Sequence, residues 1–124
     1  MPYLSWIHST SAGVDTILCP EIVDNPDITL TNAKGMCSSS LGEYVIAACL
    51  YFAKDFPRLM RQQKGCEWTK YSVEELRGKT MGIVGYGDIG RACAALAKSF
   101  GMKVMGLRRR PELSENDTLV DRVS

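Results

Sequence analysis

The sequence predicts an α/β fold centred on one strand–helix–strand unit with parallel strands. Three observations predict it. Lys79 to Val84 is a short apolar run, and Gly85-Tyr86-Gly87-Asp88-Ile89-Gly90 follows it without a gap. From Asp88, Ile89, Ala92, Cys93, Leu96, Ala97 and Phe100 recur at steps of three and four until Gly101. A second short run, Lys103 to Leu107, comes directly after. Strand, tight turn, amphipathic helix and strand in that order are the pattern of a βαβ unit.

Composition bounds the rest. At 124 residues the chain is one ordinary domain or pieces of two. Lysine plus arginine total 15 and aspartate plus glutamate 14, a balance that argues against a strongly basic nucleic-acid binder and an acidic tail. Met1-Pro2-Tyr3-Leu4-Ser5-Trp6 has no charged segment leading into an apolar stretch, so nothing marks export. No window approaches the ~20 apolar residues of a membrane span. The five cysteines, Cys19, Cys37, Cys49, Cys66 and Cys93, form no C-x-x-C pair, and their spacings fit no zinc framework. They are expected to be free and mostly buried, with no metal site, in a reducing compartment: the cytoplasm, or an organelle of similar redox state. Asn116-Asp117-Thr118 has the form of a glycosylation sequon, but such triplets arise by chance.

Along the chain, Leu4 to Ser9 is expected to be a strand running into the small-residue loop Ser9 to Asp15 and then a short helix on Val14, Ile17 and Leu18, which Pro20 ends. Ile28 to Asn32 alternates apolar and polar residues as a short strand does. A loop over Ala33 to Ser39 leads to Ser40-Leu41-Gly42-Glu43, an S-x-x-E capping box opening a helix on Leu41, Tyr44, Val45, Ala48 and Phe52. Pro57 breaks that helix, and Asp55 caps a second one reaching about Lys64, with Arg58, Arg61 and Lys64 on a solvated side. Ser72-Val73-Glu74-Glu75 is a second S-x-x-E cap, for one turn closed by Gly78. Lys79 to Val84 lacks alternation beyond its start, as expected of a strand buried on both faces. Glu112 to Ser124 is polar and weakly patterned, and most of it is expected to be loop.

The chemistry concentrates in Gly85 to Gly90. A lone G-x-G-x-x-G is weak, but between a strand and an amphipathic helix it fits a dinucleotide's diphosphate. Gly85 permits the tight turn, Gly87 lets the diphosphate come down on bare backbone, and Gly90 lets helix and strand approach. Tyr86 completes the turn, and the amides of Asp88 and Ile89 open the helix, where unpaired donors and the macrodipole favour an anion. No P-loop signature follows the turn. A cofactor with a free ribose 2′-hydroxyl calls for an acid at the end of the second strand. That position holds Arg108, with Arg109 and Arg110 beside it. Guanidinium groups pair with a 2′-phosphate that a carboxylate would repel, so NADP(H) is favoured, with NAD(H) the alternative.

The chain resembles the D-2-hydroxyacid dehydrogenase family, in particular its glyoxylate/hydroxypyruvate reductase-like members. Ser11-Ala12-Gly13-Val14-Asp15, the segment from Asn32 to Gly42-Glu43, Gly65-Cys66-Glu67-Trp68, Leu76-Arg77-Gly78-Lys79-Thr80 and Gly85 to Gly90 carry the likeness. The resemblance implies a partial Rossmann-type nucleotide-binding domain preceded by the end of a flavodoxin-like substrate domain. Residues 1–40 would be the C-terminal part of the substrate domain, 41–64 the interdomain helix region, and 65–124 the start of the NAD(P)-binding domain. It implies that the backbone amides of Ala12 and Gly13 hold the carboxylate of a small 2-oxo acid, and that the full-length protein is a homodimer. Exposed amides beside a glycine are in any case a natural carboxylate site. The family's catalytic arginine, glutamate and histidine lie beyond the second strand of the cofactor domain, so no catalytic residue is assigned. The chain is expected to be an internal fragment, marginal in stability and without turnover alone. His8, the only histidine, is expected to be partly buried in a core rather than a general acid. The expected function is hydride transfer between NADP(H) and a glyoxylate- or hydroxypyruvate-type acid. The alternative is a non-enzymatic, corepressor-like NAD(P)-binding regulator of the same fold.

Overall fold

The computed structural model describes residues 3–114 and 116–124. Met1, Pro2 and Glu115, which fall in the first segment and the tail read above, lie outside the described residues. The chain divides into two units, residues 1–37 and 38–124.

In the first unit, β1 (Trp6–His8) and β2 (Thr29–Thr31) pair in parallel, Trp6 opposite Thr29 and His8 opposite Thr31. Thr31 Oγ1 accepts from Trp6 Nε1 at 2.9 Å and lies 2.9 Å from His8 Nδ1. His8 is exposed rather than partly buried, because its two-stranded ladder has no covering layer among the described residues. Val14 to Ile17 forms a single turn rather than a helix. The helix is α1 (Pro20–Val23), and Pro20 starts it instead of ending the segment before it. Proline suits a first helical position, where its missing N–H would have no partner and its φ is already set.

The second unit holds α2 (Ser38–Ala53), α3 (Phe56–Lys64), β3 (Thr80–Val84), α4 (Asp88–Ser99), β4 (Lys103–Leu107) and β5 (Arg122–Val123). α2 begins two residues before Ser40, so Ser40 and Glu43 sit inside it and form no capping box at its start. α3 starts as expected: the Asp55 carboxylate accepts from Arg58 N at 3.2 Å, and Pro57 follows in the first turn. Arg61 and Lys64 are solvated, but Arg58 lies 4.5 Å over the Tyr71 ring. The second S-x-x-E makes no helical turn. Glu74 instead pairs with Lys79 at 2.5 Å, and its N–H donates to Ala53 O at 2.8 Å, tying an extended segment to the end of α2. The turn before β3 is formed by residues 76–78.

β4 is the middle strand, with β3 and β5 parallel on either side; Met81 faces Val104 and Met105 faces Arg122 in register. The core joins Ile46 of α2, Cys93, Ala94 and Ala97 of α4, and Met81 and Val104 of the sheet. Among the described residues, only one sheet face is covered. Met81, Val104 and Gly106 are buried, whereas Thr80, Gly82, Lys103 and Met105 are exposed and Val84 is 86% exposed, which overturns the expectation of a strand buried on both faces. Helix α4 packs between that covered face and α2, so its buried stripe is Gly90, Cys93, Ala94 and Ala97, while Ile89 and Phe100 remain exposed. The expectation of mostly buried thiols also fails: Cys93 is buried, Cys19 and Cys49 are half-buried, and Cys37 and Cys66 are exposed. Among the described residues no helix is long and apolar enough to cross a membrane.

Candidate functional site

The site grows from the end of β3. Gly85 has φ +91°, a left-handed backbone that side chains other than glycine's rarely adopt. The N–H groups of Gly85 and Tyr86 both donate to Leu107 O at 2.9 Å, which locks the turn onto the end of β4. Gly87 N donates to Gly85 O at 2.8 Å, and Arg91 N to Gly87 O at 2.9 Å, the first full bond of α4. Three of the turn's amides are thus already used. The exposed first turn of α4 leaves the amides of Asp88 and Ile89, which have no acceptor inside the helix.

A Cβ built on Gly87 meets nothing within 4 Å, so the space over the turn is open at that point. A Cβ on Gly90 would lie 3.0 Å from Gly85 O and 3.1 Å from Ile83 Cγ2, so helix and strand do approach as closely as the third glycine allows. These two positions, with the left-handed Gly85, fit a dinucleotide's diphosphate: room above bare backbone and donors aimed from a helix start. The Asp88 carboxylate, also in that first turn, accepts a hydrogen bond from the Ser38 hydroxyl of α2.

Tyr86 contributes differently. Its side chain is fully buried, packed so closely on β4 that a Cβ on Gly106 would come 3.0 Å from its ring. Its hydroxyl donates to Asp117 Oδ2 at 2.9 Å, and Arg91 donates to the same oxygen. Asp117 Oδ1 accepts from Leu119 N at 3.1 Å. Burial and the neighbouring Asp117 push the Tyr86 phenol up to about 12, so it stays a donor. Burial works against ionising Asp117, but the Leu119 amide, the Tyr86 hydroxyl and the Arg91 guanidinium outweigh it and hold the carboxyl below its ordinary range.

At the end of β4, Arg108 is half-buried and Arg109 and Arg110 are exposed. Arg108 N donates to Ser124 O at 3.0 Å, and Arg108 Nη1 donates to the Ser114 hydroxyl, itself buried on the 3-10 turn Pro111–Ser114. The structure therefore brings Gly85 to Gly90 together with Arg108 across the Leu107 end of β4. Ala12 and Gly13 belong to the separate 1–37 unit, where both are exposed. Asn32 Nδ2 donates to Ala12 O at 2.6 Å, which fixes that loop through its carbonyl and leaves its amides as donors.

Sequence reasoning missed Ser38, Arg91, Ser114 and Asp117. Ser38 pairs with Asp88, Ser114 with Arg108, and Asp117 with both Tyr86 and Arg91, and no spacing pattern announces any of these pairs. Asp117 stands 31 residues from Tyr86.

Residues 46–124 match the family model described as "D-isomer specific 2-hydroxyacid dehydrogenase, NAD binding domain". The chain is 33% identical over 125 residues to the glyoxylate reductase of Thermococcus litoralis, covering 92% of this chain and 38% of that protein. A crystal structure of a D-isomer specific 2-hydroxyacid dehydrogenase family protein from Aeromonas salmonicida superposes with a TM-score of 0.80 at 34% identity, covering 99% of this chain and 38% of that one. The NADPH-dependent glyoxylate/hydroxypyruvate reductase of Sinorhizobium meliloti, in complex with NADP and sulfate, does so with a TM-score of 0.68 at 29% identity, covering 87% and 34%. The chain thus spans well under half the length of these relatives.

Proposed function

The chain belongs to the D-isomer specific 2-hydroxyacid dehydrogenases, and from that premise we propose that it serves hydride transfer between NADP(H) and a small 2-oxo acid of the glyoxylate or hydroxypyruvate type. The nicotinamide supplies the hydride donor and acceptor when bound. This chain's residues hold the rest of the cofactor. Asp88 and Ile89 present amides to the diphosphate over Gly87, Gly85 and Gly90 give the turn its shape, and Tyr86 anchors it from below. Arg108, with Arg109 and Arg110, meets the 2′-phosphate. NAD(H) is the weaker candidate, because an unphosphorylated ribose offers those guanidiniums no anionic partner.

A basic residue at the end of β4, beside the glycine turn, carries the cofactor choice. Arg108→Asp tests it: the affinity for NADPH is expected to fall at least roughly tenfold while that for NADH holds or rises, a charge reversal at a phosphate contact. Unchanged NADPH binding would remove the assignment. The relatives above are named as reductases and dehydrogenases, which favours the enzyme over a regulator.

Residues 1–40 are proposed as the end of the substrate domain, 41–64 as the interdomain helix region and 65–124 as the start of the cofactor domain. In the first of these, the amides of Ala12 and Gly13 hold the substrate carboxylate. Gly13→Pro deletes one donor, so in the full-length protein the KM for glyoxylate should rise by roughly tenfold or more, the cost of a hydrogen bond to a charged group, with the NADPH Kd unchanged. A homodimer is proposed for the full-length protein. Supporting it are the exposed apolar side chains Tyr44, Phe52 and Trp68, and a groove of about 800 Å³ lined by Leu59, Cys66, Trp68 and Tyr71. Sedimentation as a monomer at micromolar concentration would count against it. The unpaired thiols fit a reducing compartment such as the cytoplasm.

A further inference from the structure

Three arginines stand in a row after β4, yet the structure treats them differently. Arg109 and Arg110 are exposed, whereas Arg108 is half-buried and held at two points. Its backbone N–H donates to Ser124 O at 3.0 Å, and its guanidinium donates through Nη1 to Ser114 Oγ. Ser114 is 3% exposed and is the buried polar residue among the described residues. Its carbonyl accepts from Asp117 N at 3.0 Å, so the 3-10 turn that carries it is tied into the turn holding Asp117. Buried and engaged in this way, the hydroxyl is poorly placed to reach a ligand itself. What it can do is restrict a long, flexible side chain to one orientation, leaving the remaining guanidinium N–H groups for an outside anion.

That restraint matters because a free arginine side chain samples many rotamers, and a phosphate contact would otherwise have to overcome the entropy of ordering it.

Building on the NADP(H) proposal above, we infer that Ser114 is a positioning residue for cofactor choice: it holds Arg108 poised for the 2′-phosphate and makes it, of the three arginines, the one that discriminates. Ser114 has no other part in binding, so its loss affects NADP(H) and leaves NAD(H) alone.

The test measures NADPH and NADH dissociation constants by calorimetry on the full chain and on Ser114→Ala, Ser114→Cys, Ser114→Thr, Arg108→Ala and Arg109→Ala. Ser114→Cys keeps nearly the volume of serine with a far weaker acceptor, so it serves if the alanine variant packs poorly. The expected result is a roughly five- to tenfold loss of NADPH affinity in Ser114→Ala and Ser114→Cys, no change in NADH affinity, and rescue by Ser114→Thr. Arg109→Ala should change the NADPH-to-NADH ratio less than Arg108→Ala does. Equal losses for both cofactors would mean that Ser114 supports only the local fold, and an unchanged ratio would mean that it does not position Arg108; either overturns the inference while Arg108→Ala still shifts the ratio. If Arg108→Ala leaves NADPH affinity intact, the NADP(H) proposal itself fails and this inference falls with it.

Discussion

Asp117 is one carboxylate shared by a phenol, a guanidinium and a backbone amide, and the glycine turn hangs from it through Tyr86. Tyr86→Phe keeps the ring against Gly106 and removes only the hydroxyl's bond to an ionised acceptor. It should cost about 1.5–3 kcal/mol in urea unfolding, the usual worth of a hydrogen bond to a charged group. No loss would show that the ring alone holds the turn. The pH dependence follows from the sign of the Asp117 shift. Its folded value lies below the ordinary 3.8, so on acidification the unfolded chain takes up the proton first. The stability this carboxylate adds is complete above the unfolded value and is lost as pH falls through the lower folded one. Asp121, held low by Lys98 and the Val104 amide, adds to the same slope. Urea unfolding between about pH 5 and pH 2 should therefore steepen with acid, and Asp117→Asn should flatten part of that slope. None of this was readable in the sequence. Position 117 stood only within a sequon-like triplet, and two of the contacts that give it meaning, to Arg91 and Tyr86, come from residues 26 and 31 positions away.

At the scale of elements, what the sequence revealed was local. The glycine turn, α4 with its end near Gly101, and β4 each follow from neighbouring residues: periodicity, turn chemistry and a short apolar run. The failures came where a distant partner decides. Ser40 and Glu43 have the right spacing for a cap, but Ser38 already lies in the helix, with its hydroxyl on Asp88 of α4. Glu74 is drawn to Lys79 and to the end of α2 instead of capping a turn. β5 is two residues long and rests on Asp121, whose carboxylate accepts from Val104 N and Lys98 Nζ, both at 2.6 Å; a polar tail offers no period from which to expect it. The contact between α2 and α4 is close at Gly42, where a Cβ would lie 3.1 Å from Leu96 Cδ1 and 3.3 Å from the Ala92 carbonyl carbon. The Ala92 backbone cannot give way as a side chain can, so Gly42→Val should destabilise by about 1–3 kcal/mol through overpacking, despite valine's better helix propensity. A neutral or stabilising result in thermal unfolding would mean that the two helices slide apart freely.

Over the whole molecule, every buried core residue lies in the 38–124 unit, and among the described residues of 1–37 none is buried. Stability should be as uneven as burial. In hydrogen exchange on this chain, the amides of Trp6–His8 should exchange well before those of Thr80–Val84 and Lys103–Leu107. Equal protection would contradict that distribution. The function proposed for the molecule also rests on the 38–124 unit, where the open space over Gly87, the donors of Asp88 and Ile89, and the Arg108 guanidinium lie around one end of the parallel sheet. Calorimetric titration of the full chain with NADPH and with NADH tests this most directly. Both should bind saturably, with NADPH the tighter. No uptake of either dinucleotide, or tighter binding of NADH, would contradict it.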